Sequence, residues 1–245
     1  MRKEAHAGED SPRVPSDAAA FGFVVRGHTG DVALLEATRA FRIALANGPV
    51  HGSPPAAFEN ASAIVSRELA RYPASFLREI RLGGVVFGDE LRENEMAIPS
   101  LPNVGGLLLL DASASPVDLV RTLHHEVFHF FDLVDDGRVS PDPGWEALNA
   151  PGFAYGSGGR TLRGRWAAQP SSDLLGFVSG YATSGAEEDK AETFAFAMAR
   201  TKDLAERAVS DGVVRAKIGE IARRLDAFQP ETSQRLGLHS LARGR

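Results

Sequence analysis

In the stretch Arg121-Thr122-Leu123-His124-His125-Glu126-Val127-Phe128-His129, two histidines stand four residues apart and a glutamate follows the first. On a helix, residues 125 and 129 share one face a turn apart, so their imidazoles can converge on one divalent ion. Glu126 projects beside them, within reach of a water at the ion but not of its inner shell, which is where a general base belongs. The expected chemistry is metal-assisted hydrolysis, with His125 and His129 as ligands, Glu126 as base and Zn2+ as cofactor. His124 points roughly 100° away from His125 around the helix, and reads as a structural or surface histidine.

A catalytic zinc needs a third protein ligand and an open position. Asp132 and Asp135 stand three and six residues after His129, the offsets of the glycine and third ligand in HExxHxxGxxH. With Asp132 in place of that glycine, the chain lacks its sharp exit from the helix, and Asp135 is carried around and away. Both aspartates then read as solvated acids near a helix end. The other source is Ala186-Glu187-Glu188-Asp189-Lys190-Ala191-Glu192-Thr193-Phe194. Glu188 and Glu192 share a face there, so one can bind metal while the other orients a ligand imidazole through its second N–H. Glu187 and Asp189 are explained as acids favoured by the helix dipole in a first turn.

These residues resemble the gluzincin branch of zinc peptidases, in which HExxH is joined by a glutamate from a later helix. The closer similarity is to the anthrax lethal factor-like group of zinc-binding metallopeptidases, with a Tyr-Gly segment shortly before a helix reading roughly E-x-x-A-E-x-F. Here Gly176-Phe177-Val178-Ser179-Gly180-Tyr181-Ala182 precedes Glu188-Asp189-Lys190-Ala191-Glu192-Thr193-Phe194. The resemblance spans about residues 120 to 200. It implies Glu188 as the metal ligand, Glu192 as the acid behind a ligand histidine, and Tyr181 as the phenol that stabilises an oxyanion. It also implies an α+β zincin-like domain and a peptide or protein substrate. The chain departs from the group in Ala182, where glycine is usual, and in the long stretch between the two helices. A non-catalytic zinc-binding or interaction protein on the same fold is the alternative, against which Glu126 argues; a metal-free helical scaffold is a further one.

The elements that must hold these residues follow from patterning. Asp31 to Asn47 carries Val32, Leu35, Phe41 and Leu45 among good helix formers before Gly48-Pro49, and predicts an amphipathic helix. Ser53-Pro54-Pro55 opens another, with Phe58, Ser62, Val65, Leu69 and Tyr72 at helical spacing. Ile80 to Phe87 and Val104 to Leu110 read as strands, the second being an exposed edge on which an extended peptide substrate would lie. Ser115-Pro116-Val117-Asp118 has a capping hydroxyl, proline at the first helical position and an acid at the third, and opens the His125 helix, which Gly137 and Pro141 end. Val120, Leu123, Val127, Phe131 and Val134 give that helix its core face. Val214, Ile218, Ile221, Leu225 and Phe228 form a last apolar stripe.

The resulting layout is a polar, flexible arm over 1–18 and a single zincin-like catalytic domain over 19–245. Within it fall a helical part at about 29–73, a small twisted sheet and active-site helix at about 76–137, a long loop at 138–180, and third-ligand and C-terminal helices at 186–230. Trp145, Phe153 and Tyr155 on the long loop either cover the cleft or pack the loop down.

Composition narrows the partners. The 245 residues are 43% hydrophobic and 24% charged, enough for a sizeable core. Cysteine is absent, so disulfides, thiolate ligands and cysteine nucleophiles are excluded, and any metal must be held by His, Asp and Glu. A formal net charge of -5 gives no basis for expecting nucleic acid or an anionic membrane. No apolar run approaches the roughly 18 residues of a membrane span. Met1-Arg2-Lys3 is followed by Glu4, Glu9, Asp10 and Pro12 where a signal peptide would be apolar, so a cytoplasmic address is the default expectation.

Overall fold

The computed structural model describes residues 23–37, 41–42, 49–52, 54–89, 91–93, 96–135, 139–158 and 174–243. The expected N-terminal arm lies outside them, as does the stretch 159–173 of the long loop.

Phe23–Thr29 (β1) and Val32–Ala37 (β2) form an antiparallel hairpin. This corrects the helix expected from residue 31 onward. Val32, Ala33, Leu34 and Leu35 are buried in succession, because the strand is covered on both faces. Such a strand reads as a continuous apolar run with no period to betray it, and its Leu, Glu and Ala suit a helix equally well. Burial between two layers overrides that preference.

Two short strands follow, Phe41–Arg42 (β3) and Pro49–Gly52 (β4), and then the expected helix Pro55–Leu69 (α1), with proline in its first turn and Phe58, Ala61, Val65 and Leu69 buried. Ala74–Glu79 (α2) is a helix where a strand region had been expected to begin, and it consumes Ile80 as its C-cap. The strand itself, Gly84–Asp89 (β5), starts only after the turn at Arg81. Arg92–Glu93 (β6) and Met96–Ala97 (β7) make a small separate ladder.

The expected strand over Val104 to Leu110 is in fact the inner half of a hairpin. Ser100–Val104 (β8) and Leu107–Asp111 (β9) are joined by Gly105-Gly106, both at positive φ (61° and 88°), as a two-residue hairpin turn demands. The main path of the sheet is β1, β2, β5, β9, β8, with β4 on the last residues of β5 and β3 beyond it. The central pairs β2–β5 and β5–β9 are parallel, the outer pairs antiparallel. β9 is therefore bonded on both sides, and the edge expected there belongs to β8.

Side chains alternate across this sheet. Val32, Leu34, Val85, Phe87, Leu108 and Leu110 face the main helical core. Ala33, Leu35, Val86, Leu107 and Leu109 face a second cluster with Leu91, Ile98 and Leu101. α1 and Pro116–Asp132 (α3) lie against the strands, and the short helix Pro143–Glu146 (α4), then Ala186–Ala199 (α5), Thr201–Ser210 (α6), Gly212–Phe228 (α7), Thr232–Arg235 (α8) and Leu238–Ala242 (α9), continue the same core beyond them. The result is α+β, as expected. Among the described residues no helix is long and apolar enough to cross a membrane.

Gly84 marks how tightly the sheet is packed. A Cβ there would lie 2.6 Å from Leu35 Cδ1, 3.0 Å from Leu107 Cδ2 and 3.2 Å from the Ala33 carbonyl oxygen. Gly84→Ala should therefore destabilise the protein by about 1–3 kcal/mol through overpacking, seen as a lower urea midpoint with an unchanged slope.

Candidate metal centre

α3 begins as its residues dictate. Ser115 Oγ accepts a 3.2 Å hydrogen bond from the Asp118 amide, and Pro116 occupies the first turn. Its apolar surface is wider than the stripe read from spacing, since Leu119, Phe128 and Phe130 are buried along with Leu123, Val127 and Phe131. The helix is thus pinned between sheet and helices, with His129 and Glu126 left half-buried.

His125 and His129 turn their Nε2 atoms to within 3.0 Å of each other. Glu188, from the first turn of α5, brings Oε2 to 3.1 Å from His125 Nε2 and 3.4 Å from His129 Nε2. Among the described residues, this trio is the group whose donor atoms could hold a metal ion, all lying within 4.8 Å of one another. Neighbouring donors around a four-coordinate ion with bonds of about 2.0–2.1 Å are about 3.3 Å apart. The three edges fit that size, leaving a fourth position open. Glu188 Oε2 is buried facing both imidazole nitrogens, an arrangement that a shared cation would satisfy.

Behind the trio, His125 Nδ1 lies 3.0 Å from Glu192 Oε1. An N–H donated there fixes the tautomer that leaves the Nε2 lone pair pointing at the trio's centre. Glu192 is held in turn by Arg121 Nη1, at 2.8 and 3.0 Å from its two oxygens, and by the Ser179 hydroxyl at 2.7 Å. Neither Arg121 nor Ser179 was anticipated. Arg121 sits one turn before His125, the spacing at which a cation on α3 can meet the same carboxylate.

The electrostatics favour a positive charge at this point. Burial works against a charged His125, but hydrogen bonds and attraction from Glu188 and Glu192 outweigh it and push the imidazole up to about 10. Burial likewise opposes both carboxylates, yet the histidines hold Glu188 well below the usual range, and His125 and Arg121 do the same for Glu192.

Glu126 Oε1 accepts a 2.6 Å hydrogen bond from the Ser100 hydroxyl of β8, tying the expected base to the edge strand. Tyr181 lies in a 3-10 turn, Tyr181–Thr183, with its ring centre 6.0 Å from that of His125. His124 is structural: it is wholly buried, with Nδ1 2.6 Å from the Tyr72 hydroxyl and Nε2 3.2 Å from Glu68 Oε2. Burial depresses its pKa and raises that of Tyr72. The neutral ring therefore accepts from Tyr72 at Nδ1 and donates to Glu68 at Nε2.

Acids read as solvated, Asp132 and Asp135, or as favoured by the helix dipole, Asp189, are buried ion-pair partners. Asp132 Oδ1 is 2.6 Å from Lys190 Nζ, and both side chains are fully buried. Asp135 meets Arg224 at 3.5 Å. Asp189 Oδ2 takes Lys217 Nζ at 2.6 Å, Trp145 Nε1 at 2.9 Å and the Tyr155 hydroxyl at 2.5 Å. Trp145 and Tyr155 therefore pack the described part of the long loop down. The Gly156 and Gly158 amides continue the attachment, donating to the carbonyls of Thr183 and Ser184 at 3.0 and 2.7 Å.

No protein-family model matches the chain, and no curated protein matches it in sequence. A crystal structure of a "putative zinc-binding metallo-peptidase" from Bacteroides caccae matches it in fold, with a TM-score of 0.50 and 17% identity over 76% of each chain. At that identity the likeness is one of fold, a metallopeptidase-like arrangement of sheet and helices.

The trio leads to a direct expectation. The purified protein should carry about one equivalent of a divalent first-row metal, lost in His129→Ala and in Glu188→Ala. Glu192→Ala should weaken metal affinity by about 10- to 100-fold without removing the site, as measured by competition with a chromophoric chelator.

Proposed function

We propose that the chain is a zinc-dependent endopeptidase, hydrolysing peptide bonds within a single catalytic domain. The observation that carries the reading is the convergence of His125, His129 and Glu188 on one point beside Glu126 of the same helix. The donor set of two imidazoles and one carboxylate, with one position left open, is that of catalytic zinc. The metallopeptidase-like fold and the resemblance of residues 120–200 to the lethal factor-like group agree with it.

Zinc, when held by these three residues, supplies Lewis acidity that brings the pKa of a water toward neutrality and polarises a carbonyl. The chain's own groups do the rest. Glu126 takes the proton from the attacking water and delivers it to the leaving amine. The Tyr181 phenol donates to the oxygen on which negative charge develops, an interaction that strengthens as the transition state forms. Glu192, Arg121 and Ser179 hold the His125 ring. An extended substrate adds to the outer edge of β8, and Ser100 sets the Glu126 carboxylate beside that strand.

The two roles separate experimentally. Glu126→Gln should retain zinc and lose peptide turnover by at least about 10²- to 10⁴-fold, measured on a fluorogenic peptide mixture; full activity would refute the base. Tyr181→Phe should lower kcat by about 10²- to 10³-fold with little change in KM. Equal losses in binding and turnover would instead mark the tyrosine as an anchor for its turn.

A further inference from the structure

Glu126 is a long side chain on the half-buried flank of α3, and a carboxylate on such a stem keeps one direction only if a partner fixes it. Ser100, the first residue of β8, is that partner: its hydroxyl donates to Glu126 Oε1 at 2.6 Å. The contact spans 26 residues of sequence and joins helix to sheet. Serine has a single O–H, so its hydrogen is committed to one carboxylate oxygen, and the other oxygen is left for the proton of the attacking water.

The pairing of β8 with β9 explains why Ser100 reaches this point. Ser100 stands opposite Leu110, and Leu101 opposite Leu109. Leu110 belongs to the core on the helical face of the sheet, Leu101 and Leu109 to the cluster on the other face, so the Ser100 side chain is directed toward α3. The Asp111 amide donates to the Pro99 carbonyl at 3.0 Å. Pro99 and Asp111 are therefore a hydrogen-bonded pair and, by antiparallel alternation, Ser100 and Leu110 a non-hydrogen-bonded one. The main-chain N–H and C=O of Ser100 thus point away from β9, toward the outer edge, and among the described residues β8 pairs only with β9. Pro99 and Pro102 have no N–H, and Leu101 falls in the next inward-bonded pair. Over residues 99–102 the amide aimed outward is that of Ser100.

We propose that Ser100 is a positioning residue of the active site: its hydroxyl fixes the direction of the Glu126 carboxylate while its main chain receives the extended substrate. Peptide register and base are then set from one residue. The role rests on the peptidase reading above. Side chain and main chain serve different steps, so removing the hydroxyl leaves the edge as it was and lets the carboxylate swing. The cost falls on turnover, and a misplacement of about 1 Å in a reacting group costs on the order of 10²-fold.

The test compares Ser100→Ala and Ser100→Thr in the full, zinc-loaded chain. kcat and KM are measured on the best-cleaved peptide of a fluorogenic mixture, with zinc content and urea midpoint alongside. Ser100→Ala should lose kcat by about 10- to 100-fold while KM stays within about twofold and zinc content is unchanged. Ser100→Thr, which keeps the hydroxyl and suits a strand, should return kcat to within about threefold of wild type. Full kcat in Ser100→Ala overturns the proposal. A loss that Ser100→Thr fails to restore, with the urea midpoint lowered in both variants, also overturns it and marks the contact as a brace of the fold. A raised KM at constant kcat does so too, marking the hydroxyl as a substrate contact. A zinc-loaded wild type that cleaves no peptide refutes the peptidase reading, and the positioning role falls with it; a neutral Ser100→Ala in an active enzyme leaves that reading intact.

Discussion

The register of α5 against α3 is the constraint on which the candidate centre depends. The helices run in opposite directions, and two polar links lock them. At one end Glu192 spans His125 and Arg121, and at the other Lys190 is buried against Asp132. Glu188 lies one turn before Glu192 on α5, and its carboxylate reaches the two imidazoles. A slip of one residue would swing it about 100° around α5. Ala191, Phe194, Ala195, Phe196 and Met198 are buried as well, so the helix is enclosed almost all round and has little freedom to rotate.

Such links are costly to place in a core. Burial pushes Asp132 and Asp189 up and Lys217 down, and the pairs persist because each charge meets an opposite one together with further donors or acceptors. Lys190 also reaches the Val139 carbonyl and Asp142, Lys217 the Gly176 carbonyl, and Arg224 joins Asp142 from α7. The network thus fastens the described parts of the long loop to the same helices that hold the trio. The candidate metal trio and the turn carrying Tyr181 rest on one support, and preorganisation of that kind is what a catalytic site requires.

The sheet performs a second task. Because β9 is paired on both sides, the sheet edge among the described residues is displaced to β8, and Ser100 on that strand holds Glu126. The edge strand and Glu126 are thereby coupled through a hydroxyl. The tight Gly105-Gly106 turn makes this possible by folding the chain back within two residues.

How much of this was legible in the residues differs between helix and sheet. His125, Glu126 and His129 declare themselves, because four residues bring side chains together on any helix whatever surrounds it, and the Ser115-Pro116 start is equally local. Glu188 and Glu192 were legible as a pair sharing a face, and the choice between their roles came from resemblance. By contrast, β2 was hidden: a strand buried on both sides has no alternation to read. Asp132 looked like a solvated acid and Asp189 like a helix-dipole acid, since nothing local announces the lysines that meet them from 58 and 28 residues away. Local spacing therefore determined the chemistry this chain can attempt. Which acid faces the histidines, which strand forms the edge and which charges are buried were decided by tertiary packing, because each depends on groups far apart in sequence sharing one low-dielectric volume.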